Sequence, residues 1–516
     1  MLNLQHYGMK RRHFLQAMGV SAILPALTSC VRPQASDPPL SYFGPAYGLS
    51  HEDIGKLLGQ AMANGGDYAD LYFQQNVSNF LVMEDHKINR AYTQAGLGVG
   101  VRVIKGEQVG YAFSQVLEMP AMLEAARAAA LLANSGQQAS GSMGYRVPAL
   151  YDKPGLDLYT MLNDWANVDH RQRIAILEAV ANHITGADAR VIKTISQLSD
   201  TVSHILVATS EGVLRHDYRP RTGLYVNCVA EHNGRKESNY INFATRDGLE
   251  IYSPQRLQDL ARQALNDTLH LFEARPLPAG AMPCVLAPGS SGILLHEAIG
   301  HGLEADFNRR KVSTYADSMG RAIAPPSVTI VDDGTIPHSH GGINFDDEGN
   351  DSRRTVLVDK GVLKSYLHDR LSAKFYGVDS TGSGRRQSFE YPPMPRMRAT
   401  FMESGEYAPE EIIASVKNGL YAVQFSNGQV NIGAGDFSFY VKSGYAIENG
   451  KLSHPVKDVN VIGNGPQILS RISMVGNDPE LAQAGYVCGK NGQSVPVSQG
   501  LPTTLVSSIN VGGGHA

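Results

Sequence analysis

The sequence predicts an α+β protein: an N-terminal α/β domain with a mixed sheet and helices, then a mostly antiparallel β domain that carries one chemically distinctive helix. Three observations predict it. An order of helix, strands and helix runs from 49 to 132 and recurs from 170 to 272. After Pro276-Leu277-Pro278 the texture changes to short alternating runs split by turn dipeptides such as Asp333-Gly334, Asn427-Gly428 and Asn449-Gly450. Glycine, at 53 of 516 residues, exceeds the usual share of about 7%, and charged residues, at 18%, fall below the usual quarter or so. Both favour a turn-rich, sheet-rich chain.

In the first half, apolar periodicity predicts a helix over 52–63, strands over 68–74, 96–104 and 109–114, and a helix over 121–132. The second layer reads as a helix over 171–183, strands over 190–196, 204–209 and 223–231, and a helix over 254–272. The Gly- and Pro-containing stretch 134–155 between them reads as a linking loop. Beyond 276, the run 356–366 around Asp359-Lys360-Gly361 reads as a hairpin, and helices are expected over 410–418 and just after Ser291. The expected organisation is 1–39 as signal and tether, 40–275 as the α/β domain and 276–516 as the β-rich domain.

A chain of 516 residues is long enough for two or three full cores. The net charge of −4 with no long block of one sign argues against a nucleic-acid partner. No stretch approaches the roughly 18 consecutive apolar residues that span a bilayer. Four scattered cysteines, Cys30, Cys228, Cys284 and Cys488, do not make a disulfide framework.

At the N-terminus, Lys10-Arg11-Arg12-His13-Phe14-Leu15-Gln16 precedes the apolar stretch 17–27, which ends at Leu27-Thr28-Ser29-Cys30. This resembles a twin-arginine export signal joined to a lipoprotein cleavage box, with Lys10 in place of the usual Ser or Thr and Gln16 in place of the usual Lys. The expectation is a periplasmic protein anchored by a lipid on Cys30. The alternative is a cytoplasmic protein with a basic N-terminus.

The chemistry concentrates after 290. Ser290 or Ser291 can cap a helix whose buried face comes from Ile293, Leu294, Leu295, Ala298, Ile299 and Leu303. Embedded in it is His296-Glu297-Ala298-Ile299-Gly300-His301, and two imidazoles in apolar surroundings are costly unless something such as a metal pairs them. Histidines at i and i+4 lie about 40° apart around a regular helix, whereas the i+5 spacing here gives about 140°. One inserted residue restores a common face, so a widened π turn is predicted between His296 and His301. Gly300 and Gly302 fit a distortion or close backbone approach there.

Catalytic zinc keeps three protein ligands and one position for water. Cys488 is the best third ligand, with Lys490 nearby to favour its thiolate. Cys284 and Cys228 sit in apolar runs and read as small core hydrophobes. Glu297, beside a ligand, suits a general base. Glu304 and Asp306 either orient the imidazoles through their second nitrogens or solvate the helix end.

These residues resemble the TldD/PmbA metallopeptidases, on the TldD-like, catalytic side. The resemblance rests on the run from His296 to Phe307, on Val331-Asp332-Asp333-Gly334-Thr335, on Asp346-Asp347-Glu348-Gly349 and on Gly384-Arg385-Arg386. Further matches are Pro393-Met394-Pro395-Arg396-Met397, Ser473-Met474-Val475-Gly476-Asn477-Asp478, the run from Cys488 to Ser494 and Val511-Gly512-Gly513-Gly514. The family implies Zn2+ held by His296, His301 and Cys488, Glu297 as general base, and unfolded or extended peptides as substrates. It also implies a dimer around a shared chamber, either a homodimer or a heterodimer with a PmbA-like subunit. The alternative function is a non-catalytic, peptide-binding partner subunit, and a third is hydrolysis of a non-peptide amide. Family members are usually cytoplasmic, so the export signal is a departure.

The acidic run 346–351 reads as a solvated loop before it reads as a cation or amine site. Arg385 and Arg386 could bind a peptide carboxylate or pair with that run.

Overall fold

The computed structural model describes residues 40–134 and 145–512; the export reading on 10–16 and Cys30 lies outside the described residues. A seven-stranded sheet is built from β1 (Tyr68–Glu84), β2 (Lys87–Lys105), β3 (Gln108–Ser114), β4 (Tyr151–Asp152), β5 (Val191–Thr209), β6 (Val213–His232) and β7 (Arg235–Thr245). Its order is β3-β2-β1-β5-β6, with β4 and β7 both on β6. Only β4 runs parallel to its neighbour. The two strands expected over 190–196 and 204–209 are one strand, β5, and β7 was not foreseen. Polar side chains over 197–203 mask the continuity: Asp200, for instance, is buried against Arg173 at 2.7 Å.

Side chains alternate across this sheet, as the period of two requires. Leu71, Phe73, Leu81 and Met83 of β1 and Leu214, Leu224, Val226 and Cys228 of β6 face four helices. Helices His51–Met62 and Met119–Ala133 cover one end of that face, and His170–Ile184 and Pro254–His270 the other. The helices start where their caps dictate: Ser50 with Asp53 and Asp169 with Gln172 form reciprocal capping boxes, and Ser253 caps a helix with Pro254 in its first turn. Helix His51–Met62 then buries Ile54, Leu57, Leu58 and Ala61, the i, i+3, i+4, i+7 stripe. The opposite face of the sheet is polar and looks toward the C-terminal half.

That half holds two larger sheets and a two-stranded ribbon. One sheet orders Val362–Leu363, Arg354–Asp359, Ile330–Asp333, Ala399–Met402, Gln493–Leu501 and Glu480–Leu481, with Tyr486–Lys490 also paired to Gln493–Leu501. The other orders Lys451–Asn464, Asp436–Glu448, Asn418–Val430, β8 (Gly280–Leu286), Thr504–Gly512 and Ile472–Val475. Pairing is antiparallel except for Ala399–Met402 on Gln493–Leu501 and Asn418–Val430 on β8. The foreseen hairpin is Arg354–Asp359 with Val362–Leu363, and the helix expected over 410–418 spans Pro409–Ala414. The histidine-bearing helix follows β8 and inserts Leu294, Leu295, Ala298, Ile299 and Leu303 into the largest apolar core.

Among the described residues, no helix is long and apolar enough to cross a membrane.

Candidate metal centre

The helix is a relay of turn types: a 3-10 turn at Ser290–Gly292, an α turn at Ile293–Leu295, a π turn at His296–Gly300 and a 3-10 turn at His301–Leu303. The π turn is the widened turn the i+5 spacing requires. Neither serine caps: Ser290 Oγ donates to Val423 O (2.8 Å) and Ser291 Oγ to Ala422 O (3.3 Å), tying the helix start to the neighbouring strand. A π turn disturbs the backbone ladder, and here the Tyr315 hydroxyl donates to Ala298 O (3.0 Å). Asn308 Nδ2 and Ser313 Oγ both donate to Gly302 O, at 2.8 and 2.6 Å, where the helix ends. A Cβ on Gly300 would lie 2.0 Å from Met397 Sδ, and one on Gly302 would lie 2.7 Å from the Tyr315 ring. Both glycines are therefore close-approach positions.

With the turn widened, the rings of His296 and His301 meet at right angles with centroids 4.9 Å apart. Cys488, from strand Tyr486–Lys490, completes the group: its Sγ lies 3.4 Å from His301 Nε2. One ligand atom from each of His296, His301 and Cys488 lies within 4.8 Å of the others, and all three residues are buried. This strand is placed by pairing Cys488 with Val495 across an antiparallel ladder. Burial pushes the Cys488 thiol up, but the adjacent His296 and His301 outweigh it and hold the thiol well below its ordinary range. Cys284 and Cys228 lack such neighbours, and burial pushes them up to about 12 and about 11. They pack the core, as their apolar runs imply.

Glu304 Oε2 lies 3.0 Å from His301 Nδ1, fixing that ring with its other nitrogen toward Cys488. Glu304 is fully buried; Lys490, His301 and Arg396 offset that burial and hold its carboxyl down to about 2. Asp306 does not reach an imidazole. It accepts instead from Lys490 Nζ at 2.6 Å, while Lys490 also lies 3.1 Å from Glu304 and donates to Pro395 O at 3.0 Å. Lys490 therefore braces Glu304 rather than the thiolate. Arg396, whose role the sequence did not disclose, lies beside Glu304 and donates to Cys488 O, joining the two halves of the group.

Glu297 lines the same cleft, a space of about 710 Å³ bordered also by Ile293, Phe307, Val430, Tyr486 and Val487. Burial raises its carboxyl above the ordinary range, with the imidazoles pulling the other way. The donor set of two imidazoles and a thiol suits a borderline-soft divalent ion. His296 Nδ1 is moreover buried with no hydrogen-bond partner among the described residues. These residues fit a metal.

Comparison with known sequences agrees with that chemistry. Residues 279–513 match the PmbA/TldA metallopeptidase C-terminal domain, 163–272 the central domain and 69–133 domain 1. The chain belongs to the PmbA/TldA metallopeptidase family. It is 37% identical to the "Metalloprotease TldD homolog" of Haemophilus influenzae over 87% of this chain and 93% of that protein. It is 33% identical to the "Zinc metalloprotease TldD homolog" of Saccharolobus solfataricus over 46% of this chain and 52% of that one. In fold it resembles TldE from Thermococcus kodakarensis, with TM-score 0.69 at 18% identity, covering 89% of this chain and 99% of that chain.

The acidic run is the main correction within this family member. Asp346, Asp347 and Glu348 are buried, not solvated. Glu348 Oε1 accepts from Arg102 Nη1 (2.6 Å), Asp347 Oδ1 from Arg219 Nη1 (2.5 Å), and Asp347 Oδ2 from the Arg386 backbone N–H (2.8 Å). Asp346 accepts from the backbone N–H groups of Glu348, Asn350 and Gly384 at 2.8–3.0 Å. The run is a seam between the seven-stranded sheet and the C-terminal half. Arg386 meets the run through its own backbone N–H and by donating from Nη2 to Asp347 O (2.8 Å), its ion pair being with Asp70, whereas Arg385 donates to Met397 O at 2.6 Å.

Proposed function

We propose that the chain is a zinc-dependent peptidase that hydrolyses extended or unfolded peptides, with His296, His301 and Cys488 as ligands and Glu297 as general base. The observation that carries the reading is the convergence of two imidazoles and a depressed thiol, contributed by positions 187 residues apart, beside a partly buried carboxylate. The Saccharolobus solfataricus relative is named a zinc metalloprotease, which supports the choice of ion. When bound, zinc supplies Lewis acidity toward a water and a peptide carbonyl.

The chain's own groups supply the rest. Glu297 takes the proton from water and delivers it to the leaving amine; its raised affinity for a proton suits that transit. Glu304 holds the His301 ring through Nδ1, and Lys490 with Arg396 holds Glu304. Strand Tyr486–Lys490 pairs only with Gln493–Leu501 among the described residues. Its other edge can take an extended peptide by backbone hydrogen bonds.

The test is Glu297→Gln in the full chain. Cleavage of an unstructured peptide should fall by roughly 10²- to 10⁴-fold while zinc measured by mass spectrometry stays near one per chain. Unchanged function with bound metal would favour the rival reading, a peptide-binding subunit. We further infer a dimer, with itself or with a PmbA-like subunit. The N-terminal motif supports export to the periplasm with a lipid on Cys30. Membrane fractionation reads the last point: Cys30→Ala should release the chain to the soluble fraction, and a wild type found only in cytosol removes the idea.

A further inference from the structure

Strand β6 presents Arg215, Asp217, Arg219 and Arg221 at alternate positions, and β1 turns Tyr72, Gln74, Asn76 and Ser78 to the same polar side of the sheet. Against this side lies a cavity of about 130 Å³, walled by Arg219, Arg221, Arg246, Arg385 and Arg386 with one carboxylate, Asp347. Two of the arginines are neutralised. Arg219 lies 2.6 Å from Asp217 and 2.5 Å from Asp347, and Arg386 lies 3.1 Å from Asp70.

The other three have no carboxylate partner among the described residues. Arg246 donates to Pro220 O (3.1 Å) and Arg385 to Met397 O (2.6 Å); the Arg221 guanidinium has no hydrogen bond. Desolvation and the charge of Arg246 pull Arg221 down to about 10; burial, with Asp347 opposing and Arg246, Arg396 and Arg219 reinforcing, pulls Arg385 to about 9. His340 is 6% exposed with both ring nitrogens unpartnered, and it feels the charges of Arg221, Arg246 and Arg385. It lines a neighbouring cleft of about 320 Å³ that shares Ser78, Thr201 and Arg221 with the cavity. Arg246 and Arg385 are buried and Arg221 is half-buried beside them; like charges held together out of water and an orphaned ring are costly unless an anion completes them, and guanidinium forks suit a carboxylate.

The cavity is also near the metal centre. Val487, beside Cys488, lines both the metal cleft and the His340 cleft, and its partner across the ladder, Pro496, lines the arginine cavity. Pro496 and Cys488 are thus one cross-strand step and one chain step apart, a Cα path of roughly 9 Å.

We propose that Arg221, Arg246, Arg385 and His340 form a subsite for a carboxylate carried by the peptide substrate, close to the metal-bearing strand. This deepens, and rests on, the peptidase reading. The space would hold a carboxyl group and a few waters, at about 30 Å³ per water, and not a stretch of chain.

The experiment uses zinc-loaded full-length Glu297→Gln, which binds without cleaving, and a fluorescent Gly/Ser/Ala octapeptide in three forms: free C-terminal carboxylate, C-terminal amide, and amide with one internal Glu. Fluorescence anisotropy should show at least one acidic form binding about tenfold or more tighter than the neutral amide. Which acidic form wins separates a terminal from a side-chain carboxylate. Adding Arg221→Gln should bring the ratio below about twofold, and Arg221→Lys should keep part of it. Arg221 holds no hydrogen bond, so its loss spares the fold; Arg246→Gln is the second variant should that fail. Equal binding of all three peptides overturns the proposal. So does stabilisation by inorganic phosphate without any acidic preference, which would assign the chamber to a free anion. Acid-selective binding by a chain whose unsubstituted form cleaves nothing would instead sink the peptidase reading and leave the subsite standing.

Discussion

The seam around 346–351 and the metal centre around 296–304 are both buried polar clusters, yet only at the seam does each buried carboxylate find donors for its oxygens. At the seam, Asp346, Asp347 and Glu348 all find donors within the chain, from backbone N–H groups and from Arg102, Arg219 and Arg386. At the metal centre, His296 Nδ1 and Glu304 Oε1 are buried without a hydrogen bond, and two rings and a thiol face one another. A cluster whose acids are all satisfied joins two parts of a fold, and one whose ligating atoms face one another unpaired is built to receive something.

The comparison breaks or holds on single substitutions. Cys488→Ser should have the largest effect: metal below about a tenth of an ion per chain and cleavage lowered at least about 100-fold, more than outer-shell changes produce, measured by metal analysis and turnover. Global stability at the seam should be untouched. Arg102→Met is the converse case. It leaves Glu348 without a guanidinium and Asp70 with that of Arg386 alone, at a fully buried site, which costs roughly 3–5 kcal/mol, read by chemical denaturation. Metal content of the folded fraction should not change. A stable Arg102→Met chain that has lost its metal would erase the distinction.

Segment 367–370 touches both clusters: Leu367 N–H donates to Leu303 O and Arg370 N–H to Glu348 Oε2. Between them, His368 packs against Tyr366 and Tyr376, and burial lowers it to about 4 from 6.5. A depressed histidine contributes stability above its unfolded value and loses it as pH falls from 6.5 through about 4. At pH 4.5 the loss should be roughly 2–3 kcal/mol. His368→Phe should remove that share of the acid sensitivity, seen as a smaller shift in denaturation midpoint between pH 7 and pH 4.5. Equal shifts in the two proteins would detach His368 from the acid response.

What the sequence disclosed follows the reach of each interaction. The π turn was legible because His296 and His301 are five apart and helix geometry forbids a shared face at that spacing without an inserted residue. Core helices were legible from their 3.6 period, whereas the one cap read from sequence, at Ser290 or Ser291, was not borne out because both hydroxyls bond to a neighbouring strand. The burial of the acidic run was not, because Arg102, Arg215 and Arg219 lie more than 120 residues away in the chain. A signal did exist in Arg215, Asp217, Arg219 and Arg221: charge at every second position of a strand must lie on one face. The Cys488 assignment rested on residue chemistry, and nothing local told where Lys490 would point.

Lys490 separates two accounts of the metal centre, and its effect should be the smallest of these. One account has the ammonium favouring the Cys488 thiolate; the structure has it bonded to Asp306 and Pro395 O and 3.1 Å from Glu304, which in turn holds His301. In the bracing arrangement, Lys490→Met loosens Glu304 and, through it, one ring. Zinc affinity should drop roughly 10- to 100-fold in chelator competition. Glu304→Gln should lose a similar amount through the same ring. The double variant should then cost little more than either alone, because residues acting in series are not additive. Losses that add in full would mean that Lys490 and Glu304 reach the metal site by separate routes, and the brace would be an arrangement without consequence.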